Sequence, residues 1–227
     1  MSAARPFAAL FDMDGVIVDS MPYHFISWYE ALRPLGVRVG CLYVYEKEGE
    51  RWEKTLSELL SGTGRKLTPA LFRRVFRAKQ RIFRAYFRPF IFNGARELLV
   101  SLKGHGAALA LVTSTPAREV RLILPRDIYA LFDTVVSGDM VKRGKPYPDP
   151  YREAAAALGV APKDCFVVEN AALGIRSAKS AGMFCCALTT SLPRPYLKGS
   201  DVVVEGLAQV PREIRRFIQS RRGSWER

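Results

Sequence analysis

Residues 165–175 read CFVVENAALGI. Four residues that favour strands, Cys165 to Val168, run straight into Glu169 and Asn170, and small residues with a glycine follow. The run is continuous and not alternating, as expected of a strand covered on both faces. The spacing then predicts a helix over 172–181, stopped by Gly182. A carboxylate and an amide therefore sit where a buried strand ends. They are either a strand-to-helix cap or part of a cation site.

The same strand-then-helix unit recurs outward from this stretch. Strand-like runs appear at FAALF (7–11), AALALVT (107–113), DTVVS (133–137), FCCALT (184–189) and DVVVE (201–205). Helical segments are predicted at 94–104, 116–122, 150–159 and 206–221, with PYPDP (146–150) as a start signal. Strands alternating with helices imply an α/β fold, a doubly wound parallel sheet with helices on both faces. About 95 residues separate the first two strand runs, too many for one crossover. That gap holds helical patterns at 21–33, 50–61 and 69–88 and no comparable strand run. A helical domain over 20–91 is therefore expected to be inserted into a core of 1–19 and 92–227. The joints fall near Asp19–Ser20 and Pro89–Asn93.

In such a sheet ligands bind beyond the carboxyl ends of the strands. Asp12-Met13-Asp14-Gly15 follows the first strand, Thr113-Ser114-Thr115 the second, Lys145 the third, and Glu169-Asn170 the fourth. Each signal alone has a plainer reading: a turn or calcium-type loop, a cap, a surface lysine. All of them in order, each at a strand end, point to one charged site.

FDMDGVIVDS, LVTSTP, GKPYPDPY and VVENAALGIRSAKSAGM resemble the four motifs of the haloacid dehalogenase superfamily, and more closely its β-phosphoglucomutase-like phosphatase branch with a helical cap. The resemblance implies a Rossmann-like core and a Mg2+-dependent phosphatase acting on a small phosphorylated metabolite such as a sugar phosphate. Asp12 would be the nucleophile that forms an aspartyl-phosphate. Asp14 would act as general acid and base, which needs two carboxylates in different environments. Thr113 and the Ser114 amide would hold phosphoryl oxygens, and Lys145 would neutralise charge. Asp12, Asp14 through its carbonyl, Glu169 and Asn170 would hold the metal. The branch more often shows Glu-Asp at 169–170, so Asn170 removes one negative charge, and Glu169 becomes the expected carboxylate ligand from this strand. The second aspartate, Asp14, argues against the phosphonoacetaldehyde hydrolase and dehalogenase branches. A β-phosphoglucomutase-type phosphomutase would use the same residues.

The inserted segment offers three substrate-facing candidates. On the 69–88 helix, Phe72, Val75, Phe76, Ile82, Phe83 and Tyr86 form one stripe at 100° per residue, with Lys79 near its centre. That lysine either snorkels at a domain edge or points into a pocket. His24 flanks a stripe of Phe25, Trp28, Tyr29 and Leu32. It is either structural or, by resemblance, an aid to acid/base chemistry. In EKEGERWEK (46–54), which by resemblance faces the active site, Glu48 either meets a sugar hydroxyl or belongs to a charged helix start. Ser20 before Pro22 reads as a helix cap.

The chain has 227 residues, 48% hydrophobic and 25% charged, enough for a core with a small second domain. No apolar run approaches a membrane span, and the apolar stretch before Asp12 is too short for a signal peptide. Four cysteines (Cys41, Cys165, Cys185, Cys186) without CxxC spacing suggest a reducing cytoplasm. A monomer is expected. The net charge is +13, from 25 Arg and 10 Lys against 22 acids, and 65–88 holds nine basic residues and no acid. This fits a solvated face, steering of an anionic substrate, or a non-catalytic protein binding nucleic acid through that face. No nucleic-acid motif accompanies the charge, so no nucleic-acid partner is expected.

Overall fold

The computed structural model describes residues 7–50 and 52–225. The start of the N-terminal stretch (1–6), Arg51 of the 46–54 loop and the last two residues lie outside them.

Six parallel strands form one sheet: β1 (Ala8–Phe11), β2 (Ala108–Val112), β3 (Thr134–Val136), β4 (Cys165–Glu169), β5 (Phe184–Leu188) and β6 (Val202–Val204). Their order is β3-β2-β1-β4-β5-β6, so the connections reverse direction between β1 and β4. Every residue of β1, β2 and β4 is buried. Ala9, Phe11, Leu109, Leu111, Phe166 and Val168 face one core. Ala8, Leu10, Ala108, Ala110, Val112, Cys165 and Val167 face the other. Burial on both faces is why these strands read as unbroken apolar runs.

Helices α5 (Ala95–Gly104), α6 (Ala117–Ile123), α7 (Arg126–Tyr129), α8 (Asp149–Leu158), α9 (Ala172–Ser180) and α10 (Val210–Trp225) accompany the sheet. Pro148 precedes α8, and Gly159 ends it at φ +66°, as the punctuation predicts. The helix expected over 206–221 opens with a separate 3₁₀ turn, Leu207–Gln209, before α10.

Between β1 and β2 stand α1 (Met21–Leu32), α2 (Cys41–Glu46), α3 (Trp52–Ser61) and α4 (Pro69–Tyr86). Trp28, Leu32, Val44, Leu56, Leu60 and Val75 anchor a hydrophobic cluster of their own. The chain enters and leaves this layer side by side: Asp19 N–H donates to Phe90 O at 2.9 Å and Phe92 N–H to Ile17 O at 3.0 Å. Thr68 caps α4 by accepting from Leu71 N–H, with Pro69 in the first turn. The segment CLYVYE, where no element is predicted from the sequence, forms α2 with Val44 buried. One reading needs correcting. Tyr86 leaves the apolar stripe and is 59% exposed, because it lies in the last turn before the chain departs for the core.

Among the described residues no helix is long and apolar enough to cross a membrane. Cys165, Cys185 and Cys186 are buried and free, whereas Cys41 is exposed.

Candidate active site

The strand ends converge at the reversal between β1 and β4, where a doubly wound sheet opens a crevice. Asp12 continues the β1–β4 ladder by donating its N–H to Val168 O at 3.0 Å. Asp12, Asp14, Thr113, Lys145, Glu169 and Asn170 are all at most 5% exposed. Lys145 Nζ donates to Asp12 Oδ1 at 2.7 Å, to Glu169 Oε1 at 2.6 Å and to Val112 O at 3.1 Å. All three ammonium protons are thereby used. Burial pushes the Asp12 carboxyl well above its ordinary range; Lys145 pulls it down, and Glu169 and Asp14 add to the rise. Burial works to lower the Lys145 pKa, but Asp12 and Glu169 outweigh it and raise the value.

Asp14 has the opposite surroundings. Ser20 Oγ donates to its Oδ1 at 2.5 Å, and Thr115 Oγ1 to its Oδ2 at 2.9 Å. Thr113 Oγ1 stands 3.5 Å from Oδ2. His24 Nε2 lies 3.0 Å from Oδ1, and Lys79 Nζ lies 3.0 Å from His24 Nδ1. A hydrogen bond between those last two nitrogens needs one of them to accept. Burial raises the Asp14 pKa, but the charge and hydrogen bond of His24, with the bonds from Ser20 and Thr115, bring it to about 2. Lys79 is 5% exposed and points inward over the rings of Phe83 and Trp28, so it does not snorkel. Burial lowers its pKa against the pull of Glu119, Glu48 and Asp14.

Glu169 departs from expectation. Its Oε1 accepts from Lys145 and from Tyr151 Oη at 2.7 Å, and its Oε2 from the N–H groups of Asn170 (3.0 Å) and Ala171 (3.3 Å). A carboxylate has about four acceptor positions, and four donors occupy them. Glu169, the expected carboxylate ligand of β4, thus holds Lys145 and Tyr151 in this structure. Among the described residues no group of three or more His, Cys, Asp or Glu is arranged to bind a metal.

Asn170 keeps an oxygen available. Its Nδ2 donates to Ser191 Oγ at 2.8 Å, which fixes the amide, and its Oδ1 is buried without a hydrogen-bond partner. An unpaired buried oxygen is costly unless a cation or water meets it. Together with Asp12 it offers oxygen donors only, the chemistry that suits Mg2+. Gly15 makes room for this amide: it sits at φ +83°, and a Cβ there would fall 2.1 Å from Asn170 Nδ2.

Over the cluster lies a cavity of about 320 Å3 between the helical layer and the core. Its wall includes Trp28 and Trp52, stacked at 3.9 Å between ring centres. Glu48, half-buried, also lines it; burial raises its pKa, opposed chiefly by His24. Ser114 Oγ donates to Gly49 O at 3.2 Å, and Glu119 meets Gln80 and Arg84 of α4, so both layers grip the cavity rim.

Ser20, Thr115, Tyr151 and Ser191 are contributors that sequence reasoning missed. Ser20 makes no side-chain cap bond, because its hydroxyl goes to Asp14. Thr115 carried a signal, since it stands in the hydroxyl run TST after β2. Tyr151 and Ser191 carried none, because their partners lie 18 and 21 residues away.

Residues 8–182 match the family of haloacid dehalogenase-like hydrolases. The chain belongs to that family. This haloacid dehalogenase-like hydrolase is 30% identical over 216 residues to a β-phosphoglucomutase of Bacillus subtilis (strain 168), covering 91% of this chain and 92% of that protein. It is 36% identical over 188 residues to a phosphorylated carbohydrates phosphatase of Thermotoga maritima, covering 78% and 82%. A solved structure of CbbY from Rhodobacter sphaeroides in complex with phosphate superposes with a TM-score of 0.67 at 25% identity, covering 89% and 95%.

Proposed function

We propose that this hydrolase is a Mg2+-dependent phosphatase of small phosphorylated carbohydrates, working through an aspartyl-phosphate on Asp12. The observation that carries the reading is Asp12 at the end of β1 with Lys145 Nζ 2.7 Å from its carboxylate and Asp14 two residues on in a contrasting environment. The relatives named for phosphorylated carbohydrates, hexitol phosphates and fructose-1-phosphate support the substrate class.

Asp12 attacks phosphorus, the Asp12 O–P bond forms, and the bond to the sugar oxygen breaks. Asp14 supplies a proton to that oxygen. It is held ionised here, and the negative charge of an arriving phosphate favours its protonation. In the second half Asp14 takes a proton from water, the water oxygen bonds phosphorus, and the Asp12 O–P bond breaks, releasing inorganic phosphate. Lys145 offsets charge at Asp12, and Thr113 with the Ser114 N–H holds phosphoryl oxygens. Asp12, Asn170 Oδ1 and the Asp14 carbonyl would hold Mg2+, which when bound neutralises phosphoryl charge. His24 and Lys79 orient Asp14, and Glu48 faces the sugar. On this reading residues 20–91 form the cap, and 1–19 with 92–227 form the core.

The test is phosphate release from a panel of sugar phosphates, with Mg2+ and with chelator. Release that needs Mg2+ supports the reading, and release from none of them defeats it.

A further inference from the structure

His24 and Lys79 belong to the helical layer, whereas Asp14 belongs to the strand edge, so their contact depends on how the layer is held over the sheet. One carboxylate stands where that hold is made. Glu119 lies in the first turn of α6, shortly after the run Thr113–Thr115, and its N–H donates to Pro116 O at 2.8 Å. Its side chain reaches across to α4 and is buried there, the residue being 8% exposed. Gln80 Nε2 donates to its Oε1, and Arg84 Nη2 stands 3.7 Å from the same oxygen. A buried carboxylate needs partners, and these two lie one turn apart on α4.

Gln80 and Arg84 bracket Phe83, which is buried in the same hydrophobic cluster as Val120 and Ile123 of α6. The Phe83 ring lies against the His24 ring with centres 4.7 Å apart, and Lys79 Nζ stands 4.9 Å from the Phe83 ring centre. His24 Nε2 is in turn 3.0 Å from Asp14 Oδ1. One turn of α4 is thus tied to α6 by its polar residues and bears on His24 and Lys79 through its ring. Accepting the phosphatase reading above, we propose that Glu119 is a positioning residue for the reaction at Asp14. By pinning residues 80–84 of α4 to α6, it keeps Phe83 behind His24 and so keeps His24 on Asp14. It acts through those two side chains and not on the substrate. On this reading the segment after β2 has two tasks: its start holds phosphoryl oxygens, and its first helical turn holds the helical layer.

The experiment compares kcat for a hydrolysed sugar phosphate across a set of variants. Glu119→Ala should lower it roughly 10- to 100-fold, the cost of misplacing a reacting group by about 1 Å. Gln80→Ala with Arg84→Ala cuts the same contacts from the α4 side and should match it. Glu119→Gln keeps an acceptor for Gln80 and should stay within about threefold of the unaltered enzyme. In a His24→Ala background, where the link is already cut, Glu119→Ala should cost less than about twofold more. A Glu119→Ala enzyme of unaltered kcat, or the same loss with and without His24, overturns the proposal. Placement is also read without turnover, by pulsed electron paramagnetic resonance between spin labels on Cys41, exposed in the helical layer, and on Val100→Cys, exposed on α5 of the core. The distance distribution should shift or broaden with Glu119→Ala, and an unchanged distribution overturns the proposal. If no monoester is hydrolysed while the distribution shifts, the phosphatase reading fails and the pinning of the layer by Glu119 stands.

Discussion

The strand-edge cluster and the cavity wall above it are built on opposite plans. At the strand edge almost every polar atom is used: Lys145 spends three donors, Glu169 four acceptors, and Asp14 gathers Ser20, His24 and Thr115. The wall instead presents rings and carboxylates with spare capacity, from α1, α3 and the 46–54 loop. A saturated site cannot shift without leaving a buried group unpaired, so it holds one chemistry. An unsaturated wall has spare acceptors for a substrate. On the proposed function, reaction and selectivity fall to different parts of the chain.

The sharpest attack on this division is Asp12→Asn. Loss of the nucleophile should reduce phosphate release by at least about 10⁴-fold. Retained turnover would remove the chemistry from the strand edge altogether. Next in size is Lys145→Ala, which leaves Asp12 and Glu169 facing each other in a dry site. Denaturant unfolding should show a loss of about 3–5 kcal/mol, and a loss below about 1 kcal/mol would deny that the cluster is saturated. Trp52→Ala should affect only the wall, raising KM several-fold with kcat nearly unchanged; an equal fall in kcat would place it in the chemistry.

Asp14 gives a pH test. Its folded pKa is depressed to about 2 from an ordinary 3.8. It therefore contributes stability that is present above the unfolded pKa and lost as pH falls through the folded value. About 2 kcal/mol should disappear between roughly pH 4 and 2. Asp14→Asn should flatten that part of the stability profile, and an identical profile in the variant would sink the assignment. The smallest effect concerns Asn170. Asn170→Asp should tighten Mg2+ binding about tenfold in calorimetry, since Asn170 Oδ1 is already buried and unpaired. Unchanged or weaker binding would count against the placement of the cation.

Much of this was legible in the chain. The runs that became β1, β2 and β4 could be read because their strands are buried on both faces. The inserted helices followed from a gap too long for one crossover. Asp12, Asp14 and Thr113 could be named because they stand just after strands, where topology leaves little freedom, and Lys145 because it lies in the loop that follows β3. Glu169 was named for its place, but its hydrogen-bond partners were not. Its position follows from the strand, but its acceptors went to Tyr151 and Lys145, which arrive from α8 and the β3–α8 loop. Lys79 was ambiguous because helical spacing shows only that it lies in an apolar stripe. Its contact with His24, 55 residues away, made it part of the site.

The sequence by itself determined the alternation of strands and helices, the inserted layer and which residues stand at the strand ends. Local backbone preference and one-dimensional burial patterns suffice for that. Only the tertiary structure decided that Ser20 serves Asp14, that Asn170 keeps a free oxygen while Glu169 does not, and that Trp28 stacks on Trp52. A buried polar group takes whichever donor or acceptor packing brings within about 3 Å, and that neighbour can come from anywhere in the chain.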